Sequence, residues 1–74
     1  NASTTIQFEI NRPAHYELTI YDLQGRAIAE LANGFYERGN YSLKLDSETL
    51  SSGVYFYALK SKNNVLIRKM TLLK

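Results

Sequence analysis

The stretch "LSSGVYFYALKSKNNVLIRKM" (residues 50–70) decides how this chain is read. Two runs of strand-favouring residues flank a Lys62-Asn63-Asn64 tip, so the segment reads as a β-hairpin with arms over residues 53–61 and 65–73. The first arm, "GVYFYAL", is apolar on both phases: its inward set is either Val54, Phe56 and Ala58 or Tyr55, Tyr57 and Leu59. A strand of this kind is expected in the middle of a sheet, covered on both faces. The second arm carries Arg68 and Lys69, with Lys74 beyond it. Such charges suit an edge strand, where they discourage edge-to-edge association.

Moving outward, the period of two continues. Residues 4–10 place Ile6, Phe8 and Ile10 on one face and Thr5, Gln7 and Glu9 on the other. Asn11-Arg12-Pro13 ends that run, because proline has no ladder N–H and a fixed φ. Residues 15–22 turn Tyr16, Leu18 and Ile20 inward, and Asp22-Leu23-Gln24-Gly25 reads as a tight turn with Gly25 free to take a positive φ. In residues 26–31, Ile28 and Leu31 fall out of phase, which predicts a strand with a bulge. Residues 33–39, bracketed by Gly34 and Gly39, read as a loop. Residues 40–46 alternate again, with Tyr41, Leu43 and Leu45 on one face. Residues 47–52 are turn-forming around Leu50. Six to seven short strands with frequent turns and no helical segment predict an all-β fold, a small antiparallel β-sandwich, with a partly open barrel as the alternative.

The 74 residues are one domain at most, and a chain of this size buries roughly 62% of its unfolded surface, so its core is small. With no cysteine there is no disulfide and no thiolate metal site. A net charge of +2, spread along the chain, falls short of the clustered stripe of a nucleic-acid binder. No apolar run is long enough to cross a membrane as a helix, and no signal-peptide pattern is present. Because the chain starts at Asn1, it is expected to be a piece of a longer protein.

Catalytic patterns are weak throughout. The one histidine, His15, sits on the outward phase of its strand, where a structural role outweighs that of a catalytic base. The acids Asp22, Asp46 and Glu48 fall in turns, where capping outweighs glycoside hydrolysis. There is no metal-ligand or phosphate-loop pattern, so no cofactor is expected. Among six tyrosines and three phenylalanines, Phe35 and Tyr36 are the candidates for exposed contact. "NAS" at Asn1 and "NYS" at Asn40 match the glycosylation sequon, a pattern short enough to recur by chance.

An ordered set of landmarks runs the length of the chain: "STTIQFEI", "YELTIYDLQGRAIAEL", "RGNYSLKLD", "LSSGVYFYALKS" and "IRKMTLLK". This set resembles the C-terminal sorting domain of type IX secretion substrates of the Bacteroidetes. The resemblance implies an immunoglobulin-like sandwich forming the end of a secreted protein, one sorting domain over residues 1–74. It implies a non-catalytic signal, read by the outer-membrane translocon after its cargo reaches the periplasm. A sortase-like surface peptidase commonly removes it, leaving the cargo secreted or attached to the cell surface. The expected partners are thus translocon components, that peptidase and a covalently linked N-terminal cargo. Neither nucleic acid nor a second copy is expected.

The positions that carry the resemblance are Gly25 and Arg26, Gly39 and Tyr41, then Gly53, Val54 and Tyr55, and Lys69 and Lys74. Translocon recognition is expected at Gly53, Val54, Tyr55, Lys69, Leu72, Leu73 and Lys74. A last strand of this kind suits backbone pairing with a reader. The family's usual Asn-Pro pair before the first strand is replaced by Asn1-Ala2-Ser3, and its small residue before Gly39 by Arg38. Two other classes compete. A carbohydrate-binding or spacer module of a secreted glycosidase predicts an exposed aromatic row of Phe35, Tyr36 and Tyr57. A scaffold domain like the immunoglobulin-like part of flagellar hook-capping proteins predicts an internal position in its chain.

Overall fold

A computed structural model describes residues 3–46 and 50–73 of the chain. It contains six strands: β1 (Ser3–Ile10), β2 (Ala14–Tyr21), β3 (Ala27–Tyr36), β4 (Gly39–Asp46), β5 (Gly53–Lys60) and β6 (Val65–Leu72). They form two antiparallel sheets, β1-β4 and β3-β2-β5-β6. The corner at Asn11-Arg12-Pro13 sends the chain from one sheet to the other, so β1 pairs with the distant β4 instead of with β2. This order matches strands B-E and C′-C-F-G of an immunoglobulin sandwich, an antiparallel all-β fold without a helix.

The core lies between the sheets. Ile6, Phe8 and Ile10 of β1 and Leu45 of β4 meet Leu18 and Ile20 of β2, Ala32 of β3 and Leu59 of β5, all buried. Leu18 and Ile20 are fully covered, and each is worth about 2–3 kcal/mol of transfer free energy. An aromatic cluster closes one end: Phe8 stacks on Tyr41 at 5.5 Å between centroids, and Tyr36 stands edge-on to both.

Three strands start in the same way. Tyr16, Tyr41 and Tyr55 are each the third residue of their strand, and each hydroxyl donates to the carbonyl four residues upstream: Arg12 at 2.9 Å, Glu37 at 2.7 Å and Ser51 at 2.7 Å. Tyr55, at the entry to the strand equivalent to F, is the tyrosine corner of this architecture, and here the device is used three times. Before Tyr41 and Tyr55 stand Gly39 and Gly53, both at φ 156°, a backbone state that a Cβ would strain.

β3 differs from the sequence reading. Residues 33–36 extend the strand, pairing Tyr36, Phe35, Gly34 and Asn33 with Ala14, His15, Tyr16 and Glu17, so the expected loop shrinks to the link between β3 and β4. The glycine that suggested a turn is carried within the ladder, because the pairing partner on β2 supplies what local propensity does not. The bulges are where the phase broke: the register shifts leave Leu31 and Ile28 opposite no residue of β2. The turn element at residues 47–49 lies outside the described residues, and its apolar anchor Leu50 is half-buried.

Candidate functional site

The registers place the candidate residues at the two ends of the sandwich. Gly53, Val54 and Tyr55 pair with Leu72, Thr71 and Met70, so the start of β5 and the end of β6 lie side by side. Tyr21 pairs with Phe56, which brings the β2–β3 turn with Gly25 and Arg26 to that same end, and Ser3 pairs with Asp46 there too. Gly39 and Tyr41 sit at the opposite end, beside Ile10 and Phe8. Lys74 falls outside the described residues.

The turn at the first end is held by one carboxylate. Asp22 Oδ1 accepts the backbone N–H of Gln24 at 3.0 Å and of Arg26 at 2.9 Å, while Oδ2 takes Arg26 Nε at 2.9 Å. Backbone bonds from Gly25 N to Asp22 O and from Asp22 N to Arg26 O close the loop, with Gly25 at φ 85°. The Arg26 N–H above all, then its guanidinium and charge, hold the Asp22 carboxyl below the ordinary carboxylate range against the opposing effect of burial. Gly25 and Arg26 therefore have a local structural role, which is to build this turn.

The residues expected to be recognised divide by exposure. Leu72 points inward and is buried, Leu73 beyond it is 84% exposed, and Lys69 is exposed on the outer face opposite Phe56. In β5 the core takes Tyr55, Tyr57 and Leu59, leaving Val54, Phe56 and Ala58 to the outer face of the four-stranded sheet. β5 is central within its sheet, as expected, but among the described residues no second layer covers that outer face. Leu23, Phe56, Ala58 and Ile67 line a shallow groove of about 380 Å³ there, with Lys60 at its margin. Lys60 Nζ donates to the Tyr21 hydroxyl at 2.9 Å and lies 5.4 Å from that ring's centre; the hydrogen bond raises the lysine pKa above its usual range.

The aromatic row expected of a sugar binder is not assembled. Phe35 is exposed on β3, but Tyr36 is spent in the cluster with Phe8 and Tyr41, and Tyr57 faces the core. His15 Nε2 hydrogen-bonds Asn33 Oδ1 at 2.6 Å on the surface, and Asn33 Nδ2 reaches the Glu30 carboxylate at 3.4 Å. Among the described residues no group of three His, Cys, Asp or Glu residues is placed to hold a metal.

β6 has one property that the sequence reading overlooked. Val65, Leu66 and Ile67 are consecutive, yet they are 57%, 41% and 60% exposed, so this end of the strand is apolar on both faces and covered on neither. The signal was available in "VLIRKMTLL", where the strict alternation seen in β1 and β4 is lost.

The sequence profile of the family described as "Secretion system C-terminal sorting domain" matches residues 1–72. No curated protein and no solved structure matches the chain.

Proposed function

Because the chain belongs to the family of secretion system C-terminal sorting domains, the sorting signals of type IX secretion, we propose that β6 and the corner before Gly53 form the surface its export machinery reads. Membership implies interaction with type IX machinery, attachment to a cargo on the N-terminal side and export. The carbohydrate-binding, spacer and hook-cap readings gain no support from the family match. No described helix is long and apolar enough to cross a membrane.

The observation that carries the proposal is the pairing of Gly53, Val54 and Tyr55 with Leu72, Thr71 and Met70 at the end where Leu73 projects into solvent. A reader that serves unrelated cargos needs one shared shape, and a free strand beside a hydrogen-bonded corner offers both backbone groups and side chains. Residues 1–74 act as a single, monomeric signal without catalysis of its own. Its cargo passes through the periplasm, and a sortase-like surface peptidase removes the domain. Within the recognised set, Tyr55 and Leu72 hold the shape, while Lys69, Leu73 and Lys74 supply the contacts.

The test must separate shape from contact. Removing residues 72–74 also removes a buried core side chain, whereas Leu73→Asp alters only an exposed one. A cargo carrying Leu73→Asp is expected to accumulate inside the outer membrane while the domain keeps its thermal midpoint. Undiminished appearance of that cargo outside the cell would sink the proposal.

A further inference from the structure

The free edges of the two sheets are not alike. β3, at one edge of the larger sheet, is broken by two bulges, a common protection against added strands. β1 and β4 keep polar residues on their outward phase. β6 pairs with β5 alone, over eight residues without a register shift, and carries the apolar run Val65, Leu66 and Ile67. A regular apolar edge is an invitation to strand addition.

The direction of its backbone groups follows from the turn. Ser61 N donates to Asn64 O at 2.8 Å, and an antiparallel ladder alternates from that bond. Leu66, Arg68, Met70 and Thr71's neighbour Leu72 therefore bond to β5, while Val65, Ile67, Lys69 and Thr71 aim their N–H and C=O groups at the free edge. Side chains add the specificity. Lys69 stands on the outer face opposite Phe56, Arg68 on the inner face opposite Tyr57, and both are exposed with no acid within ion-pair distance among the described residues.

This charge pair also selects against a second copy. In antiparallel self-pairing through this edge an edge-facing residue can stand only opposite an edge-facing residue, so the longest ladders centre on Arg68 or on Lys69 and set that cation against its own copy. Parallel pairing through the same edge is offset by an odd number of residues, and its longest registers set Arg68 of one copy beside Lys69 of the other. Registers displaced toward Val65 relieve the repulsion but shorten the ladder. A foreign strand with carboxylates at those positions gains where a second copy loses.

We propose that the free edge of β6 is a strand-addition site for an extended acidic segment of the export machinery. That segment is apolar opposite Val65, Leu66 and Ile67 and carries carboxylates opposite Arg68 and Lys69. The inference rests on the reading that β6 is what the machinery takes up, and it supplies the mode and the chemistry of the contact.

The probe is an acetylated, amidated peptide Thr-Thr-Val-Glu-Glu-Val-Val-Val, whose antiparallel alignment on β6 sets its glutamates against Lys69 and Arg68. Its control has lysine in place of glutamate. Titrated into the isotope-labelled 74-residue chain, the glutamate peptide is expected to shift the amides of Val65, Ile67, Lys69 and Thr71 and slow their hydrogen exchange. Binding should weaken at least about tenfold for the lysine peptide and for R68E/K69E, whose exposed substitutions leave the rest of the spectrum intact. Equal binding of both peptides, or shifts on another edge, overturns the inference. So do concentration-dependent shifts of β6 without peptide, which identify a second copy as the occupant. In cells, normal export of R68E/K69E with retention of Leu73→Asp overturns the acidic-strand inference alone; normal export of both overturns the reading beneath it.

Discussion

Removing the Tyr55 hydroxyl isolates one element of the fold that the sequence does not explain. Tyr55→Phe deletes the 2.7 Å bond to the Ser51 carbonyl but leaves the ring in place, so no cavity opens. Ser51 is exposed, and its carbonyl regains a water partner, so the cost is the net value of one hydrogen bond, about 1 kcal/mol. For 74 residues the entropy of unfolding near the midpoint is about 155 cal/mol/K, which converts that cost to about 6 °C in Tm. Tyr41→Phe removes the equivalent bond to Glu37 at the other end of the sandwich, about 25 Å away by strand length. The two sites share no partner, so the double variant should lose about 2 kcal/mol, or about 12 °C. The control is Tyr57→Phe, whose hydroxyl has no hydrogen bond among the described residues; its Tm should stay within about 1 °C. Circular dichroism melts with matching urea titrations measure all four proteins. If Tyr55→Phe melts with the parent, or if Tyr57→Phe falls equally far, the corner hydrogen bonds are not what fixes the strand starts. The same variant informs function: if Tyr55 acts through shape, Tyr55→Phe cargo is exported normally at temperatures well below its midpoint.

Two further outcomes are expected. Leu18→Ala, at a fully buried position between the sheets, should cost about 2–5 kcal/mol, a large share of the total near 4–11 kcal/mol for a chain of this length, read as a lowered midpoint in denaturant titration. Asp22→Asn keeps the turn's size but loses its ionised acceptor. The folded-state pKa of Asp22 lies below its unfolded value, so the stabilisation is present above about pH 4 and is lost as pH falls through the folded pKa. The wild-type chain should therefore lose stability more steeply than Asp22→Asn on the acid side of pH 4, and parallel acid limbs would count against the carboxylate's role.

The strands, the inward residues of β1, β2 and β4 and the break of phase in β3 were legible because each depends on local alternation. Ile6, Phe8 and Ile10 alternate with polar neighbours, and that alone assigns their face. Ile28 and Leu31 broke the alternation and proved to be the residues without partners on β2. Local signals misled at residues 33–36, where a glycine suggested a loop but pairing to β2 carried the strand onward. Of the candidate site, the basic edge strand was legible, and so through the hairpin was the closeness of its end to Gly53, but not the arrival of the β2–β3 turn at that same end.

Period-two patterning is enough to make this chain a set of short antiparallel strands with a small apolar core, because it fixes which residues can share a face. The sequence also carries the landmarks of its family. The pairing of β1 with β4, the inward facing of Tyr55, Tyr57 and Leu59 and the apolar run left uncovered on both sides of β6 emerge from packing across the fold. A strand's alternation defines two faces but names neither the neighbour on its edge nor the layer that covers it. Those are settled by contacts between residues distant in sequence, and at the outer edge of β6 such contacts stop.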